Sequence, residues 1–257
     1  MLSLIERWLK GAALEAQEYV RLTRDALRAI VTRPYYKHDI VEQFDAIGWG
    51  SLTVVLLSGL FTGAALALQS GQTLDQFGAR PVVGRLVSAS MIKELGPVLT
   101  ALMLTGRIGS GIAAELGSMM VTDQINALRA LGTDPIRKLV VPRMLAGFLM
   151  APVLTVISDF VGILGGWVVA RFTLQVNSGL YWSSVTKGLY MEDAWMGLIK
   201  PFVFGFIIVT VACHVGLRTT GGTAGVGKAT TLSVVAGSVA VIAADFFVTQ
   251  ILMAVLY

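Results

Sequence analysis

The chain has 257 residues, of which 55% are apolar and only 14% are charged, and its mean hydropathy is +0.73. Soluble domains carry about 25% charged residues, so this composition excludes an ordinary soluble protein. The net charge of +4 is modest, and no basic patch with interleaved aromatic residues indicates nucleic-acid binding. One cysteine, Cys213, excludes an internal disulfide. We find no nucleophile with a paired base and no cluster with metal-ligand spacing, so we expect neither an enzyme nor a metal site.

The first 45 residues are predicted to lie on the membrane surface. Apolar residues recur at steps of three or four, as in an amphipathic helix: Leu2, Ile5, Leu9, Ala13, Ala16, Val20, Thr23, Leu27 and Ile30. The residues between them are mostly charged and basic, so this helix is too polar to span a bilayer and suits its surface. The alternative is a helix packed on another subunit. Pro34 disfavours helix in the residue before it and ends the segment.

Residues 46–257 are predicted to form a transmembrane domain of five helices. The apolar segments lie at about 46–69, 84–118, 143–170, 194–217 and 231–256. Each approaches the roughly 20 residues that cross a hydrocarbon core of about 30 Å. Gly59 and Gly63 form a small-xxx-small face for close helix contact, although membrane helices also tolerate glycine without such contact. The second segment contains Pro97 and is expected to kink there.

A polar stretch over 119–142 separates the second and third spans. It contains a short helix over about 123–131, which Asp123 begins and Gly132 ends. On this helix the residues at three-residue steps form an apolar edge suited to a groove in a partner: Ile125, Leu128 and Leu131. The alternative is a connector lying on the membrane surface.

The distribution of basic residues predicts the orientation in the membrane. With the N-terminus inside, 13 Lys and Arg residues are cytoplasmic and six are on the other side. This places residues 1–45, 119–142 and 218–230 inside and Tyr257 outside. The aromatic belts agree, with Trp49 at the inner edge. The outer belt comprises Trp167, Tyr181, Trp182, Tyr190, Trp195 and Tyr257.

One segment resembles a nucleotide-binding loop only superficially. Gly222 to Ala229 nearly matches the Walker A pattern, but position 229 lacks the hydroxyl that would bind Mg²⁺. Both flanks are predicted spans rather than a strand and a soluble helix. We therefore expect a tight glycine-rich connection between spans four and five.

Several ionisable residues fall inside the predicted spans. Arg107, Asp159 and Asp245 lie mid-span, and Lys93 and Glu94 lie near the outer end of span two. Such groups cost about 2.5–3.5 kcal/mol each on insertion scales, so they face a partner or a wet cavity. Arg107 could pair with Asp159 or Asp245, and the roles of these three stay open. Lys93 and Glu94 point in different directions and cannot neutralise each other, which favours a functional role.

Three segments together resemble the MlaE-type (YrbE) permease family of lipid ABC transporters. The first runs from Lys93 to Val98 and continues with Gly106 to Ser110. The second covers Ala114 to Met120 and Asp123 to Leu128, and the third covers Gly222 to Thr231. The likeness extends over nearly the whole chain in order and spacing.

The resemblance implies an all-α inner-membrane protein with an interfacial helix, five spans and a short cytoplasmic coupling helix. It implies a homodimer that moves phospholipid between inner membrane and periplasm and maintains outer-membrane lipid asymmetry, with no cofactor of its own. The implied partners are a cytoplasmic ABC ATPase, a periplasmic MCE-domain protein and often a STAS-domain protein. The implied lipid-binding residues are Leu66, Thr73, Leu74, Phe77, Lys93 and Glu94. The residues expected to couple to the ATPase are Asp123, Ile125, Leu128, Leu131 and Asp134.

Two other functions compete with this interpretation. A proton-coupled secondary transporter could use Asp159, Asp245 and Glu94 as a relay, but its usual inverted repeats require matched halves, and five spans do not provide them. A membrane scaffold for a periplasmic protein would transport nothing. Only the ABC permease requires a stoichiometric ATPase. The direction of transport and the exact lipid do not follow from the sequence.

Overall fold

The computed structural model describes residues 2–32 and 36–256, including all of their side chains except those of 2–9 and 12. Within this described part every regular element is helical. The α-helices are α1 (Leu2–Val31), α2 (Lys37–Asp75), α3 (Val83–Ser90), α4 (Gly96–Leu104), α5 (Ser110–Val121), α6 (Gln124–Ala130), α7 (Val141–Phe172), α8 (Ser178–Gly188), α9 (Met191–Leu217) and α10 (Gly222–Leu256). The all-α fold predicted from the sequence is confirmed.

Five continuous helical segments are long and apolar enough to cross a membrane. They are Lys37–Asp75, Arg80–Val121, Ile136–Phe172, Met191–Leu217 and Gly222–Leu256. All five predicted spans lie within these segments, so the prediction of five transmembrane helices is confirmed. The predicted boundary between the surface region and the transmembrane domain, at residue 45, falls inside α2.

The second span is not a regular α-helix. A short 3₁₀ turn, Arg80–Val82, precedes α3, and π-helical turns lie at Met91–Leu95 and Thr105–Gly109. In the first π turn the Gly96 N–H donates to the Met91 carbonyl. Proline has no N–H and crowds the preceding turn, so a wider turn ahead of Pro97 accommodates it. The irregularity expected at Pro97 therefore takes the form of a π turn.

Close contact between glycines joins α2 to α7. A Cβ added to Gly59 would lie 2.7 Å from the Ser158 carbonyl oxygen, and one added to Gly63 would lie 1.9 Å from the Gly162 carbonyl oxygen. A Cβ at Gly165 of α7 would in turn lie 2.3 Å from the Leu60 carbonyl oxygen. Only a hydrogen atom fits in place of a side chain at these positions, so the backbones of α2 and α7 are in direct contact. The close-contact interpretation of Gly59 and Gly63 is confirmed.

Helix α1 packs across the end of α9. The Tyr19 and Thr210 hydroxyls lie 2.8 Å apart, and Arg218 donates to both Glu15, at 3.0 Å, and Glu18. Ala26 of α1 is fully buried. The predicted apolar stripe is not this buried face, because Val20 and Leu27 are exposed. The side chains of Leu2, Ile5 and Leu9, which begin the predicted stripe, lie outside the described residues.

Helix α8 packs on α3 and α7 and forms a second core at the other end of the spans. Tyr181 of α8 is fully buried, its hydroxyl donates to the Ile163 carbonyl at 2.9 Å, and burial raises its pKa. Its assignment to the outer aromatic belt is therefore wrong, because a belt residue keeps its polar tip in the interface. Tyr257 of the same predicted belt lies outside the described residues. We call the two ends of the bundle the α1 end and the α8 end.

The glycine-rich segment was expected to be a loop, but most of it is helical. The connection between α9 and α10 is only four residues long, 218–221, and Gly222–Ala229 forms the first turns of α10. Gly221 and Gly222 have φ values of +88° and +67°, a left-handed conformation that glycine adopts without strain. A phosphate-binding loop of the Walker A type follows a β-strand, and no strand precedes this segment within the described residues.

Candidate functional site

The candidate site is a cluster of charged residues toward the α8 end of the spans. Lys93 and Glu94 lie on the π turn ahead of Pro97, and each pairs with a residue of α9. The Lys93 ammonium lies 2.6 Å from Asp193 Oδ1, and Glu94 Oε2 accepts a hydrogen bond of 2.6 Å from Lys200. As the sequence predicts, these two neighbours do not neutralise each other. Asp193 neutralises Lys93, and Lys200 neutralises Glu94.

Lys200 is the centre of this cluster. Its side chain is fully buried, and its Nζ donates to the Lys93 carbonyl at 2.9 Å as well as to Glu94. Asp245 of α10 adds an ion pair, with Oδ1 lying 3.1 Å from the same Nζ without hydrogen-bond alignment. One ammonium thus joins the second, fourth and fifth spans.

The Lys93 carbonyl is available to Lys200 because of Pro97. In an α-helix the carbonyl of residue 93 would accept from the N–H of residue 97, and proline has none. The Lys200 ammonium supplies the missing donor. A buried carbonyl without a donor is costly in a membrane, so the proline and the lysine compensate each other.

Asp193 and Lys200 were not identified as site residues from the sequence. Lys200 is one of the six basic residues predicted on the outer side, and Asp193 immediately precedes the predicted fourth span, yet the side chains of Asp193 and Lys200 are 1% and 0% exposed. A charge pattern could have revealed them, because residues seven apart lie on one face of a helix. Asp193 and Lys200 have this spacing, and their charges are opposite to those of Lys93 and Glu94, respectively.

The pairing suggested for the mid-span charges is wrong. Arg107 donates from Nη1 to the Ala46 carbonyl at 3.2 Å and to Ser51 Oγ at 2.9 Å, and it pairs with neither aspartate. Asp245 pairs with Lys200 instead. Asp159 is buried against Gly96, and its Oδ1 accepts no hydrogen bond from any described residue.

The other predicted lipid-binding residues lie at the α8 end of α2 but differ in exposure. Leu66 and Leu74 are half-buried and pack against the second core. Thr73 is exposed, and Phe77, which follows α2, is 77% exposed. These four do not enclose a pocket within one chain.

Two apolar depressions lie elsewhere and are lined mainly by residues of α7 and α9. They measure about 370 and 510 Å³ and share Val156 and Leu198. Asp159 lines the smaller one. Neither is lined by a predicted lipid-binding residue.

The short helix predicted at 123–131 is present as α6, but its apolar residues do not share one free edge. Ile125 is fully buried, Leu128 packs against the core, and Leu131 is 80% exposed. The expected single docking edge is therefore wrong, since Ile125 is enclosed, Leu128 is half-buried and Leu131 is the well-exposed residue of the three. The helix ends at Gly132, with φ +75°, as predicted.

The acidic residues that flank α6 stabilise local turns. The Asp123 carboxylate accepts from Asn126 Nδ2 at 2.8 Å rather than capping the helix backbone. Asp134 accepts from the Ile136 N–H at 2.9 Å and pairs with Arg137 at 3.3 Å. Both are exposed.

One group contradicts the expectation that no cluster has metal-ligand spacing. Ligand atoms of His38, Asp39 and Glu42, in the first turns of α2, lie within 4.8 Å of one another. Positions 38 and 42 are one turn apart on a helix, a signal that the sequence already contained. The group is largely exposed, as acidic surface clusters without a metal commonly are.

Comparison with known proteins gives a consistent result. The family model described as permease MlaE matches residues 40–251. A probable ABC transporter permease protein of Rickettsia typhi is 40% identical over 230 residues, which are 90% of this chain and 89% of the relative. The intermembrane phospholipid transport system permease protein MlaE of Haemophilus influenzae is 37% identical over 214 residues, 83% of this chain and 82% of the relative. The chloroplastic trigalactosyldiacylglycerol 1 protein of Arabidopsis thaliana is 34% identical over 224 residues, 87% of this chain and 64% of the relative.

The Lys200 cluster predicts a specific pattern of stability. Lys200→Met leaves Glu94 and Asp245 without their cation, and breaking a buried pair costs about 3–5 kcal/mol. We expect the purified variant to melt at a clearly lower temperature than the parent, as followed by tryptophan fluorescence. Adding Glu94→Gln and Asp245→Asn removes the unpaired charges and restores much of the loss. Lys187→Met, at an exposed position of α8, is the matched control. Parental melting of the single variant would show that the cluster stabilises nothing.

Proposed function

Because the chain belongs to the permease MlaE family, we propose that it moves phospholipid as the membrane-spanning subunit of an ATP-driven transporter of the bacterial inner membrane. The observation that carries this proposal is the charged cluster placed toward one end of an otherwise apolar bundle. The name of the Haemophilus relative, a phospholipid transport system permease, supports the choice of cargo.

Lys93 and Glu94 are the residues of the cluster that we assign to lipid head groups. Their side chains are 31% and 42% exposed, whereas Asp193 and Lys200 are fully enclosed. A phosphate can therefore compete with Asp193 for the Lys93 ammonium, and Glu94 can accept a hydrogen bond from a head group. The enclosed partners keep the two side chains in place when no lipid is bound.

We propose that two copies of the chain enclose the lipid cavity. Helix α10 supports this, because it is the least buried span and its outward residues are large and apolar: Leu232, Val235, Val239, Ile242, Phe246 and Phe247. Its polar Asp245 turns inward to Lys200, which leaves this outer face free for lipid or for a second copy. The exposed Thr73 and Phe77 would line the cavity from α2.

ATP hydrolysis is assigned to a separate cytoplasmic subunit that binds the α1 end. Glu18 of α1, Arg129 of α6 and Arg218 after α9 line one pocket, so these segments lie at the same end of the bundle. This agrees with the 13-to-6 basic asymmetry, and we therefore propose that the α1 end is cytoplasmic and the C-terminus periplasmic. A periplasmic MCE-domain protein would bind the α8 end, and a STAS-domain protein would join the ATPase.

The alternative proton-coupled mechanism finds less support. A relay needs titratable groups that exchange protons along a chain, but Glu94 and Asp245 both pair with one buried ammonium. Asp159 hydrogen-bonds to neither of them. The structure offers no comparable argument for a passive scaffold.

The lipid assignment predicts where cross-linking occurs. A photoreactive amino acid at Phe77 should capture phospholipid in native membranes, because we place this residue at the cavity. Phe172 on α7 is the matched control, with the same side chain, 75% rather than 77% exposure, and a position at the same end. We expect several times more phospholipid adduct at position 77 by mass spectrometry. Equal yields at the two positions would mean that the cavity is misplaced.

The coupling assignment predicts the effect of a charge on α6. Leu131→Asp places a carboxylate on an exposed apolar residue, so folding is spared while an interface there is disrupted. Interface hot spots contribute about 2 kcal/mol or more, so co-purification of the ATPase should fall at least tenfold. Leu180→Asp, on the exposed face of α8, is the control for surface charge. If Leu131→Asp retains the ATPase and transports at the parental rate, coupling enters elsewhere, with the connection at 218–221 the next candidate.

A further inference from the structure

A polar pocket near the α1 end contains a cation that the charged cluster does not use. It measures about 280 Å³ and lies between α2 and the segment formed by the second π turn and α5. Its polar lining residues are Gln43, Arg107 and Glu115, and its apolar lining includes Ile47 and Ile108. The π turn Thr105–Gly109 presents Arg107 to the pocket, and such turns are frequent at functional sites.

The guanidinium of Arg107 is held on one edge only. Nη1 donates to the Ala46 carbonyl at 3.2 Å and to Ser51 Oγ at 2.9 Å. Nε and Nη2 donate to no described residue. Gly50 makes room for the group, because a Cβ there would lie 2.5 Å from Nη2. The backbone of α2 thus fixes the arginine, and the hydrogens on Nε and Nη2 have no acceptor among the described residues.

The charge balance of the pocket favours an anion. Among the described residues, Glu115 is the one carboxylate that lines it, and Glu115 Oε1 lies 2.6 Å from Nη2 of the buried Arg143. Because Arg143 neutralises that carboxylate, the charge of Arg107 is not balanced, and the pocket is positively charged. A guanidinium fork with free donors matches two oxygens of a phosphate better than any neutral ligand.

We propose that this pocket binds the phosphate of a membrane phospholipid, through the Arg107 Nε and Nη2 donors. The inference rests on the proposed function and adds to it a second lipid site, at the opposite end of the spans from Lys93 and Glu94. A lipid bound there is positioned at the α1-end leaflet.

Two features favour a lipid phosphate over a free one. The pocket is at the level of Ala46 and Ile47, which follow Asp45 at the start of the uncharged run that ends at Asp75. This is the depth at which a head group meets the hydrocarbon core. Apolar side chains of Ile47, Ile108 and Ile112 also line the pocket, and they suit the glycerol and upper acyl groups rather than a free ion.

The test uses a phosphatidylglycerol whose head group carries a photoreactive diazirine, added to the purified full-length chain in lipid nanodiscs. Adducts are mapped by peptide mass spectrometry. We expect adducts within 43–51 and 107–115, and we expect Arg107→Gln to reduce them about tenfold, the size of a lost charge-assisted hydrogen bond. Gly50→Ala keeps the charge but displaces the guanidinium, so it should reduce the same adducts. Arg171→Gln, at the exposed end of α7, should not.

The outcomes separate this site from the proposed function and from its alternatives. Unchanged adducts in both Arg107→Gln and Gly50→Ala overturn the site, while adducts at the Lys93 end and ATP-driven transport report independently on the function. Should Arg107→Gln fail to fold, Arg107→Lys is used instead, because it keeps the positive charge but lacks the paired donors of the guanidinium. The proposal then expects fewer adducts in Arg107→Lys, and unchanged adducts overturn it. Inorganic phosphate that abolishes the adducts at concentrations near those of the lipid would show that the pocket takes free phosphate and would overturn the lipid assignment.

Discussion

The buried ammonium of Lys200 is the interaction on which the arrangement of the spans depends. Burying an isolated charge is prohibitively costly, so Lys200 is tolerated only because three oxygens surround it. Those oxygens come from Lys93, Glu94 and Asp245, on two other spans. Helix α10 is the least buried span, and this ion pair and the hydrogen bond from Ser233 to the Gly109 carbonyl both hold its inward face against the other spans. Lys200 also donates the hydrogen bond to the Lys93 carbonyl that Pro97 cannot donate. The same ammonium therefore stabilises both the irregular turn of the second span and the contact with α10.

Much of the fold could be predicted from the sequence, because transmembrane helices follow from local hydrophobicity alone. The five spans are of this kind, whereas the contact of Gly59 and Gly63 with α7 and the end of α6 just before Gly132 follow from the positions of the glycines. The site was only half predictable. Lys93 and Glu94 were identified as unusual, but their pairing with Asp193 and Lys200 depends on how α9 packs; the seven-residue spacing of these two indicates a shared helix face, not the residues that they contact. Tyr181 was misassigned for the same reason, since a tyrosine at a membrane interface and a buried one look alike in sequence.

The polar groups of the spans separate into two levels with different chemistry. Toward the α8 end, opposite charges neutralise each other and leave Lys93 and Glu94 partly exposed. Toward the α1 end, Arg107 is held by backbone and hydroxyl groups, and no carboxylate of the described residues pairs with it. The π turns supply weak points in the second span, where a rearrangement that carries lipid between the two levels is least costly.

We propose that ATP hydrolysed by a separate subunit drives this protein to move phospholipid. The most direct measurement reconstitutes the chain in liposomes with the proposed ATPase subunit and follows fluorescent phospholipid reaching an acceptor. The account predicts transfer that requires ATP, stops when the ATPase is omitted and is unaffected by a protonophore. Transfer that proceeds without ATP and collapses when the proton gradient is dissipated would contradict it.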